Sequence, residues 1–325
     1  MDWFGAGVDA PASLIRAVHF AATAVVAGCL IFRAAVAGPV LRSGEAGPEL
    51  LRRQTLRVAW TALIISVASG AIWLLLQAVS MSGLPLGEAM APGVLSTVLN
   101  ETQFGLVFEI RLALAVVLAG CLAYDHLALP RWLGLAAAIG LIAGVAWTGH
   151  GGSTSGPPGI VHLAADLLHL VATAAWLGGL FSLVLLLGAV HGTNDVSIFL
   201  AAEATKRFST LGVASVGTLF LTGIVNAWFL VGSVNALMVT EYGRLLTLKI
   251  GLFAVMVAFA AVNRFWLTPI LLPPGLRSPA ESPARLQSLG RLTRNGRIEI
   301  VLGLMIYGIV GVLGTLHPAI HFFNR

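Results

Sequence analysis

The chain has 325 residues, of which 58% are hydrophobic and only 10% are charged, and its formal net charge is +5. A soluble domain of this size would carry about a quarter charged residues, so the composition excludes a sizeable soluble domain and predicts a polytopic membrane protein. In such a protein the positive charge reports on orientation in the lipid bilayer, and it is not a signal of nucleic-acid binding.

Apolar segments follow one another along the whole chain, each long enough to cross the ~30 Å hydrocarbon core of a bilayer. The connectors between them, such as "GHGGSTSGPPG" and "PPGLRSPAESPAR", are rich in turn formers. We predict an all-α bundle with eight transmembrane helices, at residues 13–40, 56–80, 103–123, 131–149, 160–190, 209–232, 243–270 and 297–317.

Basic residues concentrate in the connections that follow helices 1, 3, 5 and 7. Examples are Arg52 and Arg53 after helix 1, and Lys206 and Arg207 after helix 5. Because basic loops stay in the cytoplasm, this pattern predicts that both termini face the opposite, outer side of the membrane. Most of the eight histidines then lie towards that outer side.

A polar stripe interrupts the fifth apolar segment, in the sequence "HLAADLLHLVATAAWLGGL" at residues 162–180. His162, Asp166 and His169 are spaced four and three residues apart, which places them on one helix face. His162 and His169 are about 10 Å apart along a helix axis, which is too far for direct chelation of one ion. The spacing therefore predicts an outer station, His162 with Asp166, and a deeper station at His169.

The two halves of the sequence repeat each other in three of their four helices. The aligned segments are 19–31 with 169–181, 102–112 with 240–250, and 141–150 with 308–317. They pair His19 with His169, Arg111 with Lys249, and His150 with His317. Four helices per repeat predict two parallel repeats, residues 1–150 and 151–325, within a single integrated membrane domain.

Histidines that recur at equivalent depths indicate a metal site, since imidazole is a good ligand for copper, zinc, nickel and iron. The candidate metal ligands are His19, His150, His162, Asp166, His169 and His317. If the repeat axis passes between helices 1 and 5, the paired histidines of the two halves converge. The alternatives are a helix-capping role for His162 and Asp166, and hydrogen-bonded core histidines at the deeper positions.

Four other residues are candidates for a supporting role: Arg111, Lys249, Trp176 and Asn226. For the two cations, the alternatives are extension to the outer head groups, pairing with Asp166, or stabilisation of a closed state. Trp176 and the glycines after it are typical of close helix packing, and Asn226 is suited to bonding across helices. The sequence contains no nucleophile elbow, P-loop or HExxH motif, so we predict that the protein is not an enzyme.

Much of the second half resembles one known family, the bacterial copper resistance D proteins (CopD). The resemblance is carried by residues 166–180, 220–237, 240–269 and 296–319, and "T-x-Y-G-R-x-L-x-x-K…N-R-F" is its most specific part. It implies a multi-pass inner-membrane protein of copper homeostasis, associated with copper uptake from the periplasm. It also implies a periplasmic copper carrier, CopC, as a partner; that carrier would be a separate chain here.

Two other functions stay open beside copper import. The pair His19 and His169 also fits the axial ligands of haem b in a membrane cytochrome. The third is a membrane partner that receives a periplasmic copper carrier without transporting the metal. Neither the residues nor the resemblance fixes the direction of copper movement or its oxidation state.

Overall fold

The computed structural model describes residues 9–41, 48–149, 156–190, 195–271 and 283–320. Among these, eight helices are long and apolar enough to cross a membrane, as the sequence predicts. They are α1 (10–41), α2 (Pro48–Ser82), α3 (Gln103–Ala123), α4 (Ala128–Thr148), α5 (156–190), α6 (Asp195–Val231), α7 (Glu241–Leu271) and α8 (Pro283–Leu313).

Several of these helices change their winding along their length. A π-helical turn lies within α1, α5 and α7, and α4 ends in a 3₁₀ turn. The π turns span Arg33–Ala37, Ala174–Gly178 and Asn263–Leu267. Turns of this kind are frequent at functional sites, and all three lie at a helix crossing or at a polar contact described below.

Three helices begin earlier than the sequence prediction placed them. The predicted starts of 56, 209 and 297 are wrong, because α2, α6 and α8 begin at Pro48, Asp195 and Pro283. The added turns carry the basic residues that the prediction assigned to loops. Arginine, lysine and leucine are good helix formers, so a helix continues past the apolar run into water without losing hydrogen bonds.

Short helices that the sequence analysis missed precede α3 and α7 in equivalent ways. Thr102 and Thr240 cap the two long helices, each accepting a hydrogen bond of 3.0 Å from the backbone N–H of a glycine. A Cβ added at either glycine, Gly105 or Gly243, would overlap carbonyl oxygens of the short helix before it. Glycine therefore permits the tight turn at both places.

The first helix of each predicted repeat packs directly against the other. A Cβ at Gly28 of α1 would overlap the carbonyl oxygen of Ala174, and a Cβ at Gly178 of α5 would overlap that of Ala24. The backbones are therefore in contact at this crossing, which is the close packing that small residues favour in membrane helices.

Buried apolar side chains form two main clusters. One is built chiefly from α1 to α4 and includes Trp73 and Leu118. The other joins α5 to α8 with the far end of α1, and includes Phe32, Trp176 and Met256. The division of the chain into residues 1–150 and 151–325 stays a prediction, and α1 contributes to both clusters.

A buried ionic cluster ties together the end of the bundle at which α2 and α4 begin. Asp125, only 3% exposed, accepts a hydrogen bond from Arg33 of α1 and lies 3.5 Å from the guanidinium of Arg52 of α2. The Asp125 backbone oxygen accepts a further bond of 2.9 Å from Arg131 of α4. One residue thus connects three helices, through its carboxylate to α1 and α2 and through its backbone oxygen to α4.

Candidate functional site

His19 lies in α1 and is directed towards α2. Its side chain is 4% exposed, and its Nδ1 is 2.9 Å from the carbonyl oxygen of Ser66 and 3.1 Å from the hydroxyl of Ser69. Because a carbonyl oxygen can only accept, we assign the proton of the neutral ring to Nδ1. Its Nε2 is buried and has no hydrogen-bond partner, so an unshared electron pair is left at that atom.

His169 has the equivalent arrangement between α5 and α6. Its Nδ1 is 2.9 Å from the hydroxyl oxygen of Thr222, which itself donates to the carbonyl of Thr218 at 2.7 Å. Since the single hydroxyl proton of Thr222 is used in that bond, the oxygen accepts from His169 Nδ1–H. The electron pair of this ring is therefore also on Nε2.

The backbone at both histidines is held in the same way. Thr23 donates to the carbonyl of His19 at 2.7 Å, and Thr173 donates to the carbonyl of His169 at 2.8 Å. A hydroxyl four residues later thus bonds back to each histidine. The pairing of His19 with His169 that the sequence alignment indicates extends to these contacts.

The rest of the stripe on α5 packs against α6. His162 is 2% exposed and stacks on the ring of Phe229, with centroids 4.8 Å apart and an interplanar angle of 9°. Asp166 accepts a hydrogen bond of 3.3 Å from the amide of Asn226, so the predicted bonding of Asn226 across helices is present. Because α5 begins at Gly156, both residues lie inside the helix and neither caps it.

The two predicted supporting cations occupy different environments. Arg111 is buried, and its guanidinium donates to the carbonyl of Leu141 at 3.2 Å and to the hydroxyl of Thr23 at 3.5 Å. It neither extends to the head groups nor pairs with Asp166, so these two alternatives are wrong for this residue, and stabilisation of a closed state stays a prediction. Lys249 acts electrostatically on Asp166 and on His169.

The predicted ligands do not gather into one cluster. In the part of the chain that the structure describes, no group of three His, Cys, Asp or Glu side chains is placed to hold a metal ion. His19 contacts α2 whereas His169 contacts α6, and His317 is exposed beyond the end of α8. His150 lies outside the described residues, so the convergence of all four histidines stays a prediction.

Several polar residues of the membrane helices were missed by the sequence analysis. Arg16 of α1 lies with its guanidinium carbon 5.0 Å from the ring centroid of Trp73. Glu299 of α8 is 1% exposed and accepts a hydrogen bond of 2.8 Å from Asn263 in the π turn of α7. Ionisable residues within an apolar helix mark functional positions by default, and that signal was present in the sequence.

Two family models match the chain and together span most of it. The model described as "Copper resistance protein D" matches residues 202–313. The model described as "Copper resistance protein D-like, N-terminal domain" matches residues 8–160. The gap between the two matches, residues 161–201, contains four of the predicted site residues: His162, Asp166, His169 and Trp176. It also contains most of α5, which is therefore the least covered of the eight helices.

Three curated proteins are similar over long stretches. "Copper resistance protein D" of Pseudomonas syringae pv. tomato is 29% identical over 284 residues, 86% of this chain and 88% of that protein. "Inner membrane protein YebZ" of Escherichia coli is 28% identical over 306 residues, 94% of this chain and 97% of that protein. "Copper transport protein CutJ" of Bacillus subtilis is 30% identical over 230 residues, 68% of this chain and 41% of that protein.

No solved structure matches the chain. The two family models, the long similarity to the Pseudomonas and Escherichia proteins, and the eight apolar helices agree with one another. The chain therefore belongs to the copper resistance protein D family, as a multi-pass inner-membrane protein.

Proposed function

We propose that this protein imports copper from the periplasm into the cytoplasm, and that His19 and His169 supply the ligands at its deeper sites. One observation carries the proposal. Both rings donate Nδ1–H to an oxygen of the neighbouring helix and leave the electron pair of Nε2 for a ligand. Metal-binding histidines are oriented in this way, because a hydrogen bond at one nitrogen fixes the tautomer and the direction of the other.

The second half offers the better entrance for a cation. His162 and Asp166 lie above His169 on the same face of α5, and a carboxylate beside two imidazoles attracts positive charge. In this proposal copper is received there, with help from His150 and His317, and then passes to the deeper histidines. Trp176, which packs in the core close to the crossing of α1 and α5, holds that helix in place.

Membrane orientation and the partner belong to the same proposal. Basic residues that follow α1, α3, α5 and α7 support a cytoplasmic location for that side of the bundle, with both termini in the periplasm. The matched caps at Thr102 and Thr240 support two parallel repeats, 1–150 and 151–325. A separate periplasmic copper carrier resembling CopC would then meet the protein on the side of His162.

Transport and its direction are tested with membrane vesicles that trap a copper-sensitive dye. Right-side-out vesicles containing the protein are expected to accumulate copper faster than vesicles without it, and inverted vesicles are not. The double variant His19→Ala/His169→Ala should fall to the rate of empty vesicles. The exposed His126, which lies at the opposite end of the bundle, provides the control variant His126→Ala.

Three results would overturn this function. Purified protein with a haem Soret band would favour the membrane cytochrome. Bound copper without uptake in either vesicle orientation would favour a non-transporting partner of a copper carrier. Accumulation confined to inverted vesicles would reverse the proposed direction.

Thr222 is expected to act as a positioning residue for His169. The variant Thr222→Val keeps the side-chain shape but removes the oxygen that accepts from Nδ1–H. Losing such a partner typically lowers metal affinity about 10- to 100-fold, and we expect a decrease of that size in the copper affinity measured by competition with a chelator. The matched control is Thr218→Val, one turn earlier on α6, where the hydroxyl is bonded only to its own helix. Equal affinities for the two variants would contradict the role of Thr222.

A further inference from the structure

Two arginines surround His19 in the outer part of the first four helices. The guanidinium of Arg16 and the ring of His19 both lie against Trp73, at 5.0 Å and 5.5 Å from its ring centroid. Arg111 reaches Thr23, whose hydroxyl is bonded to the His19 backbone. Arg16 and Arg111 both act electrostatically on the His19 ring. We call Arg16, His19, Trp73 and Arg111 the arginine pocket.

No carboxylate of the described residues balances these two charges. Neither arginine forms an ion pair with a carboxylate in that part of the chain. Asp9 caps α1 through the backbone N–H of Ala12, and Glu109 is exposed on α3. One buried and one half-buried guanidinium group without a counter-charge are unfavourable in a medium of low dielectric constant.

Arg16 also has unused hydrogen-bonding capacity. Its Nε–H is buried and has no hydrogen-bond partner. The guanidinium lies against the backbone of Gly314 at the end of α8, where a Cβ would overlap it. The negative end of a helix dipole is equivalent to only about half a charge, so it does not neutralise two cations. Buried polar atoms without partners indicate a water or ion that belongs at the site.

The second half shows what neutralises an equivalent position. The alignment that pairs His19 with His169 places Arg16 opposite Asp166, and pairs Arg111 with Lys249. The second half therefore has one carboxylate and one ammonium beside its histidine, whereas the first half has two guanidinium groups. The net charges of the two pockets therefore differ by two units. The difference lies at one aligned position, which is Arg16 in the first half and Asp166 in the second.

We propose that the arginine pocket binds a small monoanion, a carboxylate or a halide, which accepts hydrogen bonds from Arg16 and takes the place that the Asp166 carboxylate fills in the second half. The rings of Phe20 and Trp73 lie 5.6 Å apart beside Arg16 and favour a small ligand. The anion supplies the missing counter-charge beside His19. This site does not depend on copper and stands whether or not the protein transports it.

The test is anion-dependent thermal stability of the purified full-length protein without copper. Sodium gluconate, whose anion is bulky, is replaced by sodium acetate or sodium chloride at constant pH and ionic strength. Wild type is expected to show a saturable rise in transition temperature of roughly 3 °C or more, because a ligand that binds only the folded state stabilises it. Saturation-transfer NMR from the protein to the acetate methyl group measures binding directly.

Variants of the arginine separate this site from general salt effects. Arg16→Asp should remove the response to acetate and chloride, because its carboxylate takes the place that Asp166 has in the second half. Arg16→Gln should reduce the response at least fivefold. Arg264→Gln is the control, because Arg264 of α7 is partly buried but bonded to Ser209. A wild-type protein without saturable anion binding in either measurement overturns the proposal, as does a full response in Arg16→Gln.

Discussion

Replacing Gly28 with valine is expected to prevent the accumulation of folded protein. The α-carbon of Gly28 faces the backbone of α5, and even one added carbon would overlap the carbonyl oxygen of Ala174. Two helices would have to move apart, which also opens the contact at Gly178. Overpacking of this kind costs at least about 3 kcal/mol when the backbone itself must shift. The measurement is the yield and thermal stability of protein purified in detergent.

A second glycine gives the matched control. Gly120 lies within α3, and no atom outside its own helix is within 4 Å of a Cβ built there. Gly120→Val therefore changes the same residue type in a membrane helix without a clash, and it should be purified in nearly wild-type yield. Similar losses in both variants would show that helix propensity, and not the α1–α5 crossing, determines the effect.

The number of membrane helices could be predicted because each apolar run is long enough to span a bilayer. The first residues of α2, α6 and α8 could not be predicted, because hydropathy marks where a helix enters the lipid and not where its hydrogen bonds begin. The short helix Val234–Val239 was missed for a related reason: it is too brief to show a period. By contrast, the small residues around Gly178 gave a reliable signal of close packing.

Removing both deeper histidines is expected to have the largest effect on copper binding. Loss of an outer-shell partner alone lowers metal affinity about 10- to 100-fold, so His19→Ala/His169→Ala should lower it by at least about a hundredfold. Equilibrium dialysis of purified protein against buffered copper measures the change. His126→Ala should bind as wild type does, and unchanged thermal stability of the double variant would show that its fold is intact.

The candidate site was only partly accessible to sequence analysis. The stripe of His162, Asp166 and His169 follows from helical periodicity, and the repeat identifies His19 as the partner of His169. The groups that orient the rings, Ser66 and Thr222, lie on other helices. Hydroxyl residues are common in membrane helices, so no spacing in the chain distinguishes these contacts before the helices pack.

The same limit explains why the sequence analysis did not identify Arg16 as a candidate. Its position opposite Asp166 is visible in the alignment, but the sequence does not show that its guanidinium lies beside Trp73 with a buried, unpartnered Nε–H. Arg111 was interpreted as a residue that reaches the head groups because arginine side chains commonly do so. Packing of α3 against α1 and α4 instead encloses it, and its donors bond to Leu141 and Thr23.

X-ray absorption at the copper edge tests the central claim most directly, because it reports the atoms bound to the metal. Purified wild-type protein loaded with copper is expected to show the outer-shell scattering of imidazole rings. The His19→Ala/His169→Ala variant, loaded under the same conditions, should show a clearly smaller imidazole contribution, because only the proposed outer ligands such as His162 remain. A wild-type spectrum without imidazole, or identical spectra for the two proteins, would contradict the assignment of these histidines as copper ligands.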